Sequence, residues 1–369
     1  MKQVKVLMVG MTSGVGGVET FMTNINRYID HSKFKMDFLV HQQIAEKYVN
    51  DIENTEARIF TVPGVKEGVL TFLKELFSFY RKHDYDIVHL NECSADFFIY
   101  CLPLLFNRKT KLIVHSHNGS TSQKSIHAFL RLVQNKRANA KWSCSDKATK
   151  WMYKNDKDVT VIRNGIDVQK YLFSTKIRNR VRDKLGIENK VVIGSVARFE
   201  KQKNHKKIID VFNVYHKQKK DSVLLLIGKG HLLKETQEYV KSLNLQDSVI
   251  FLGVRNDVDQ LLMAMDVFIM PSLYEGLPFV AIEAQAASLP ILISDTVSAE
   301  VYITDLVHTV ELNAADDIWA SQIDLVYKTE NERATDADAY QEQLDSAGYS
   351  IKVVCKQIEG LYAKLIAQE

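Results

Sequence analysis

The sequence predicts an α/β protein built from two doubly wound, parallel-sheet domains. Three observations carry this. Short, β-branched apolar runs alternate with amphipathic helical stretches along most of the chain. The alternation comes in two series, separated by a charged stretch without strand character. The segments richest in glycine and charge fall directly after apolar runs, at the strand ends where open α/β sheets bind ligands.

The first series opens with VKVLMVG at 4–10. Lys5 interrupts its apolar part and no small-residue cleavage site follows, so it reads as a strand rather than a signal peptide. FKMDFLV (34–40), YDIVHL (85–90), TKLIVHSH (110–117), KWSCS (141–145) and VTVIRNG (159–165) continue the series. The second holds VVIGSVARF (191–199), SVLLLIGKG (222–230), SVIFLG (248–253), DVFIMPS (266–272) and LPILISD (289–295). Helical spacing of apolar residues predicts a last helix over IKVVCKQIEGLYAKLIAQE. The expected organisation is a first domain over 1–167, a linker over 168–188, a second domain over 189–349 and a C-terminal crossover helix over 350–369. Two such domains facing each other would hold a ligand in the cleft between them.

Composition narrows the class. With 369 residues, 46% hydrophobic and 25% charged, the chain can bury two ordinary cores. No apolar run reaches the roughly 18–20 residues of a membrane helix. Net charge is +3 but uneven: residues 1–170 carry 25 Lys and Arg against 17 Asp and Glu, and residues 171–369 carry 23 against 28. Between 101 and 150 the only acid is Asp146, so the first half suits an anionic surface. It lacks the interleaved aromatics of a nucleic-acid module. Cys93, Cys101, Cys144 and Cys355 form no C-x-x-C pair and no cluster with histidines, which points to reduced thiols in the cytoplasm rather than a zinc site.

The loop MTSGVGGVETF, Met11–Phe21, stands where phosphate loops stand. Glu19 occupies the third-glycine position of the dinucleotide fingerprint, which disfavours an NAD-dependent dehydrogenase, and no P-loop lysine is present. Two readings stay open: a glycine turn whose helix N-terminus attracts an anion, or a tight turn alone. PSLYEGLPFVAIEAQAASLPI, Pro271–Ile291, follows a strand, and its FVAIEAQAA reads as a small-residue helix. Glu275 lies in the loop before that helix and Glu283 in its second turn. Exposed N–H groups near Gly276–Phe279 suit a diphosphate, and the two carboxylates suit flanking sugar hydroxyls. A capped helix with one solvated Glu is the simpler alternative. Arg198 follows a strand directly and Lys203 comes five residues later, two cations able to neutralise a leaving diphosphate, while Lys201, Lys206 and Lys207 read as solvated charge.

The order GGVE, ARFEKQKN, GKG and YEGLPFVAIEA resembles the retaining nucleotide-sugar glycosyltransferases of family 4, which have the GT-B fold of two Rossmann-like domains facing across a cleft. Members that build capsular or exopolysaccharide look closest. The resemblance implies that Glu283 binds the ribose, Glu275 the transferred sugar, and Arg198 and Lys203 the diphosphate. It implies backbone contacts from Gly276, Leu277, Pro278 and Phe279 to phosphate and sugar, and from Val254 and Arg255 to the base. Gly16 and Gly17 would approach the diphosphate from the first domain. His117 matches the family histidine near the donor sugar, with His115 as the alternative, and Asn164–Asp167 matches a structural turn near the hinge. Asn204 after Lys203 and GKG in place of G-D-G depart from the usual pattern and leave the sugar open.

The implied reaction is sugar transfer with retention, from a UDP-sugar to a glycan or polyprenyl-linked acceptor, with no metal or other cofactor. Arg198, Lys203 and the helix N-terminus would stabilise the leaving diphosphate electrostatically. The D-A-D at 336–338 lies in a polar helical stretch away from these motifs. A nucleotide-sugar 2-epimerase and a non-catalytic nucleotide-binding module are the alternatives on the same fold. KSIHAFLRLVQNKRANAK, Lys124–Lys141, sets Ile126, Phe129, Leu130 and Val133 on one helical face beside Arg131, Lys136 and Arg137. It reads either as an interfacial helix on anionic lipid, with the protein peripheral on the inner membrane face, or as a core-packed helix.

Overall fold

The computed structural model describes residues 3–14, 16–117, 124–154, 157–275 and 277–367. The chain divides into two units, Met1–Ile166 with Gly348–Glu369, and Asp167–Ala347. Each is a parallel sheet with helical connections.

The strands of the first unit are β1 (Val4–Val9), β2 (Phe34–Val40), β3 (Arg58–Thr61), β4 (Ile87–Glu92), β5 (Lys111–Ser116), β6 (Ala140–Ser143) and β7 (Val159–Val161). They lie in the order β3-β2-β1-β4-β5-β6-β7, all parallel. Side chains alternate across a strand, so β1 feeds two cores: Val6 and Met8 join one cluster, Leu7 and Val9 the other. Burial on both faces is why these strands read as continuous apolar runs.

The last helix, Ile351–Ala367, belongs to this first unit. Ile351, Val354, Cys355, Ile358, Tyr362 and Leu365 repeat at helical spacing and complete the β1 core. Polar contacts fix its register. Tyr362 Oη meets His89 Nδ1 at 2.7 Å, and Glu359 Oε1 accepts the Asp30 N–H at 2.8 Å. Its start packs on the Asn164–Asp167 turn, where a Cβ on Gly165 would lie 2.8 Å from the Ile351 Cα.

The second unit holds β8 (Val191–Val196), β9 (Ser222–Ile227), β10 (Val249–Gly253), β11 (Val267–Met270), β12 (Ile291–Ser294) and β13 (Val307–Val310), ordered β10-β9-β8-β11-β12-β13. The stretch expected as a linker folds here instead, as a 3-10 turn, Val168–Tyr171, and a helix, Thr175–Leu185. Buried charge holds it. Arg178 and Arg182 both pair with Asp266, which also accepts the Val192 N–H at 2.7 Å. Arg333, fully buried, donates to the carbonyls of Ser288, Leu262, Met263, Met265 and Ala287. These carbonyls include helix-end groups with no intrahelical partner of their own.

Candidate active site

In the second unit the chain leaves β8 toward β9 and leaves β11 toward β12, on opposite sides. The crevice at such a switch point, beyond the carboxyl ends of the strands, is where these sheets take ligands. Arg198 follows β8 and is exposed; Glu275 follows β11. The 3-10 turn Lys201–Lys203 and the loop Pro271–Glu275 meet there. Lys203 Nζ is paired with Glu275 Oε1, with the two side chains 16% and 8% exposed. Gln202 Nε2 donates to the Tyr274 carbonyl at 2.9 Å and to Glu275 Oε2 at 3.3 Å. The GKG segment is zipped to the Arg198 segment: Phe199 N–H donates to the Lys229 carbonyl and Leu232 N–H to the Phe199 carbonyl, both at 3.0 Å. His205 stacks on Phe199, and burial, aided by the Lys203 charge, holds its imidazole down to about 4.

The helix after this loop is Phe279–Ala286 with Pro278 as N-cap. Its exposed first-turn N–H groups carry the positive end of the helix dipole. Leu277, Pro278 and Phe279 lie at that end; Gly276 lies outside the described residues. Glu283 sits in the second turn, close enough to the Tyr171 hydroxyl for the two to interact. Burial raises its carboxyl above the ordinary value, while Tyr171 and the Lys170 charge oppose that rise. Beside it a pocket of about 470 Å³ is lined by Lys170, Val254, Arg255, Asn256, Asp257 and Asp259. Val254 is 65% exposed, and Arg255 is held by Asp257 through two bonds of 2.8 and 2.6 Å. The carboxyl of Asp257 is lowered by that guanidinium.

In the first unit the switch lies between β1 and β4. Gly10, with φ +124°, lets the loop after β1 pass against β4: a Cβ there would lie 1.8 Å from the Asn91 carbonyl oxygen. Gly16 is the N-cap and Gly17 the first residue of the helix Gly17–Tyr28. Glu19 is buried and folds back on this loop, accepting from Thr12 N–H at 3.2 Å and Thr12 Oγ1 at 2.6 Å. The residue that spoils the dinucleotide pattern is therefore the one that locks the loop's shape.

The two histidine candidates separate cleanly. His115 is fully buried, its Nδ1 3.1 Å from His89 Nε2, which makes it a core residue. His117 is partly buried and neutral, since burial pushes its imidazole down to about 3. Both ring nitrogens are engaged, Nε2 with Asn91 at 3.0 Å and Nδ1 with Asn164 at 3.1 Å. Asn91 donates its amide to the His89 carbonyl, which turns its Oδ1 toward His117 and makes Nε2–H the donor; Nδ1 is then an acceptor and is satisfied by Asn164 only with that side-chain amide turned to present its NH2.

A cavity of about 660 Å³ in this unit lies near the carboxyl ends of β2 and β3. Phe97, Ile99, Tyr100, Ile126 and Leu130 line it, together with Lys66, Glu67 and Asp96. The helix Lys124–Arg137 differs from its expected pattern. Ile126 and Phe129 are exposed together with Leu132, whereas Leu130 and Val133 pack on the core. Of the three basic residues only Lys136 is exposed. Arg131 donates to the Trp151 carbonyl, and Arg137 is buried against the carbonyls of Leu104, Asn107 and Thr110. In the D-A-D segment, Asp336 pairs with Lys328. Among the described residues no group of three His, Cys, Asp or Glu stands close enough to hold a metal ion, and no helix is long and apolar enough to cross a membrane.

Sequence reasoning missed Tyr171, Lys170 and Asp259 around Glu283, and Gln202 beside Glu275. Tyr171 and Lys170 hid in the stretch read as a linker, and Gln202 sat inside a run read for its lysines alone.

Comparison with known proteins identifies the family. The model for glycosyl transferases group 1 matches residues 177–343, and that for glycosyltransferase family 4 matches residues 15–170. The putative glycosyltransferase EpsF of Bacillus subtilis is 30% identical over 87% of this chain and 87% of its own length. The UDP-Gal:alpha-D-GlcNAc-diphosphoundecaprenol alpha-1,3-galactosyltransferase of Escherichia coli is 28% identical over 67% of this chain and 68% of its own. A glycosyltransferase structure from Rickettsia africae superposes with a TM-score of 0.83 at 16% identity, all of both chains being covered. Anabaena HepE in complex with UDP and glucose gives 0.78 at 18% identity, over 98% of this chain and 100% of that one. Matched by both models and along most of its length by a relative, the chain belongs to the group 1, family 4 glycosyltransferases and has their GT-B fold.

Proposed function

We propose that this glycosyltransferase moves a hexose from a UDP-sugar to a polyprenyl-diphosphate-linked glycan in the synthesis of a capsular or exopolysaccharide, with retention and without a metal ion. The observation that carries the reading is the placement of Glu275 and Glu283. One carboxylate stands in the loop after β11 beside Lys203, the other in the following helix beside the Val254–Asp259 pocket. That spacing suits a sugar at one end of a diphosphate and a nucleoside at the other. The UDP bound by HepE and the undecaprenol-linked acceptors named for the Escherichia coli and Campylobacter jejuni relatives support the choice of donor and acceptor.

In this reading Glu283 accepts from the ribose hydroxyls and backbone at Val254 and Arg255 meets the base. Arg198, Lys203 and the backbone N–H groups of Leu277 and Phe279 receive the charge that grows on the leaving diphosphate. The bond from the anomeric carbon to the phosphate oxygen breaks, and the acceptor oxygen attacks on the same face. The acceptor's proton passes to the departing phosphate. Within the first unit, Gly16, Gly17 and His117 stand after β1 and β5 and are its candidate ligand contacts. The apolar cavity beside Ile126 suits the lipid part of the acceptor, and exposed Ile126, Phe129 and Leu132 suit the inner membrane surface.

A thermal-shift panel of UDP-, GDP- and ADP-sugars tests the donor. A donor present at a hundred times its Kd adds about 2.7 kcal/mol of stability. UDP-sugars should raise the melting temperature, Glu283→Ala should abolish the rise, and turnover should persist in EDTA. A shift with GDP- or ADP-sugars alone contradicts the reading.

A further inference from the structure

The loop carrying Glu275 is held from two sides. On one, Ser294 and Thr296 hydroxyls donate to the Ser272 carbonyl at 2.6 and 2.7 Å, and Glu275 bridges to Val297. On the other stands the Lys201–Lys203 turn. Leu273 N–H donates to the Gln202 carbonyl at 2.8 Å, and Asn204 Nδ2 donates to the Pro271 carbonyl at 3.1 Å. Gln202 Nε2 closes the contact on Tyr274 and on Glu275 itself.

The carboxylate oxygens of Glu275 are thus divided: Oε1 faces Lys203 and Oε2 faces Gln202. A diphosphate competes for Lys203, because an ammonium is drawn to the larger negative charge. A neutral amide has no such competitor. When Lys203 turns to phosphate, Gln202 remains the side-chain donor on Glu275, with Oε1 released for a sugar hydroxyl.

We propose that Gln202 is a positioning residue for Glu275, and that it sets recognition of the transferred sugar without contributing to nucleotide affinity. This rests on the reading of Glu275 as the sugar-binding carboxylate.

The test compares UDP with the UDP-hexose that the wild-type protein binds best, by calorimetry on the full chain. Gln202→Ala should weaken the UDP-hexose about tenfold, the scale of one hydrogen bond to a charged group. Its affinity for UDP should stay within about twofold, since no change is made at the nucleotide end. Gln202→Glu keeps the size, removes the donor and sets carboxylate against carboxylate, so its loss should be larger. Adding Gln202→Ala to Glu275→Gln should cost little more, because both act on one contact. Equal weakening of UDP and UDP-hexose, or no change in either, overturns the proposal. Undiminished UDP-hexose binding by Glu275→Gln overturns the reading of Glu275 itself, and absence of UDP binding in the wild type overturns the proposed function.

Discussion

Lys203 and Glu275, one assigned to the diphosphate and the other to the sugar, are paired with each other across two loops. The pair keeps a partly buried cation and a partly buried carboxylate satisfied, and it sets both at the sheet's switch point. In the proposed reading a donor separates them, giving each a new partner of matching charge or hydrogen-bonding type.

Removing the cation should therefore hurt turnover more than folding. Lys203→Ala is expected to lower the transfer rate by about 10²–10³, the scale seen when one preorganised charge-stabilising donor is lost. Its melting temperature should fall as Glu275 loses its cation, but only modestly, because Gln202 still donates to that carboxylate. Steady-state kinetics beside a thermal melt would check this, and a near-wild-type rate would remove Lys203 from the site.

Glu283 predicts a pH dependence. Burial raises its carboxyl above the ordinary 4.5. Ribose hydroxyls donate to the ionised form, so binding favours the carboxylate. Nucleotide affinity should then hold at neutral pH and fall as pH drops through a midpoint above 4.5. Titrations of UDP from pH 7.5 downward should show that fall, and Glu283→Gln should flatten it.

Asp266 predicts a stability effect in the second unit. It neutralises Arg178 and Arg182 and accepts the Val192 N–H. Asp266→Asn leaves the buried Arg182 without a carboxylate and Arg178 with only that of Glu330 at 3.7 Å, a loss of about 3–5 kcal/mol. Urea unfolding would measure it; a change below 1 kcal/mol would contradict the role given to this cluster.

The exposed face of the helix Lys124–Arg137 predicts vesicle binding. Phe129 is 68% exposed, so Phe129→Asp should leave stability within about 0.5 kcal/mol. The same change should reduce co-sedimentation with anionic liposomes. Binding that is indifferent to Phe129→Asp and to anionic lipid content would rule out this face.

The sequence showed most of the sheet because central strands are buried on both faces and read as apolar runs. The two strands it left out, β3 and β13, are both edge strands, and partly exposed VHTV and RIFT carry little apolar signal. That Lys203 and Glu275 stand at strand ends was legible because each follows its strand at short spacing; that they meet was not. Tyr171 was not, because its contact with Glu283 spans more than a hundred residues and leaves no local pattern. The role of Glu19 was invisible for a related reason: a carboxylate that folds back on Thr12 looks in sequence like a failed glycine. Within the helix Lys124–Arg137, periodicity grouped Ile126 and Phe129 with Leu130 and Val133, but the first two are exposed while the last two pack on the core.

The central claim is that the chain transfers a hexose from UDP to a lipid-linked acceptor with retention. The most direct measurement incubates the protein with a panel of UDP-hexoses and a polyprenyl-diphosphate-linked sugar in EDTA. UDP release would be followed, and the anomeric configuration of the product read by NMR. One UDP-hexose should yield a glycosylated lipid whose new linkage keeps the donor's α configuration, and Glu283→Ala should abolish it. An inverted linkage, or no UDP release with any donor and acceptor, would contradict the account.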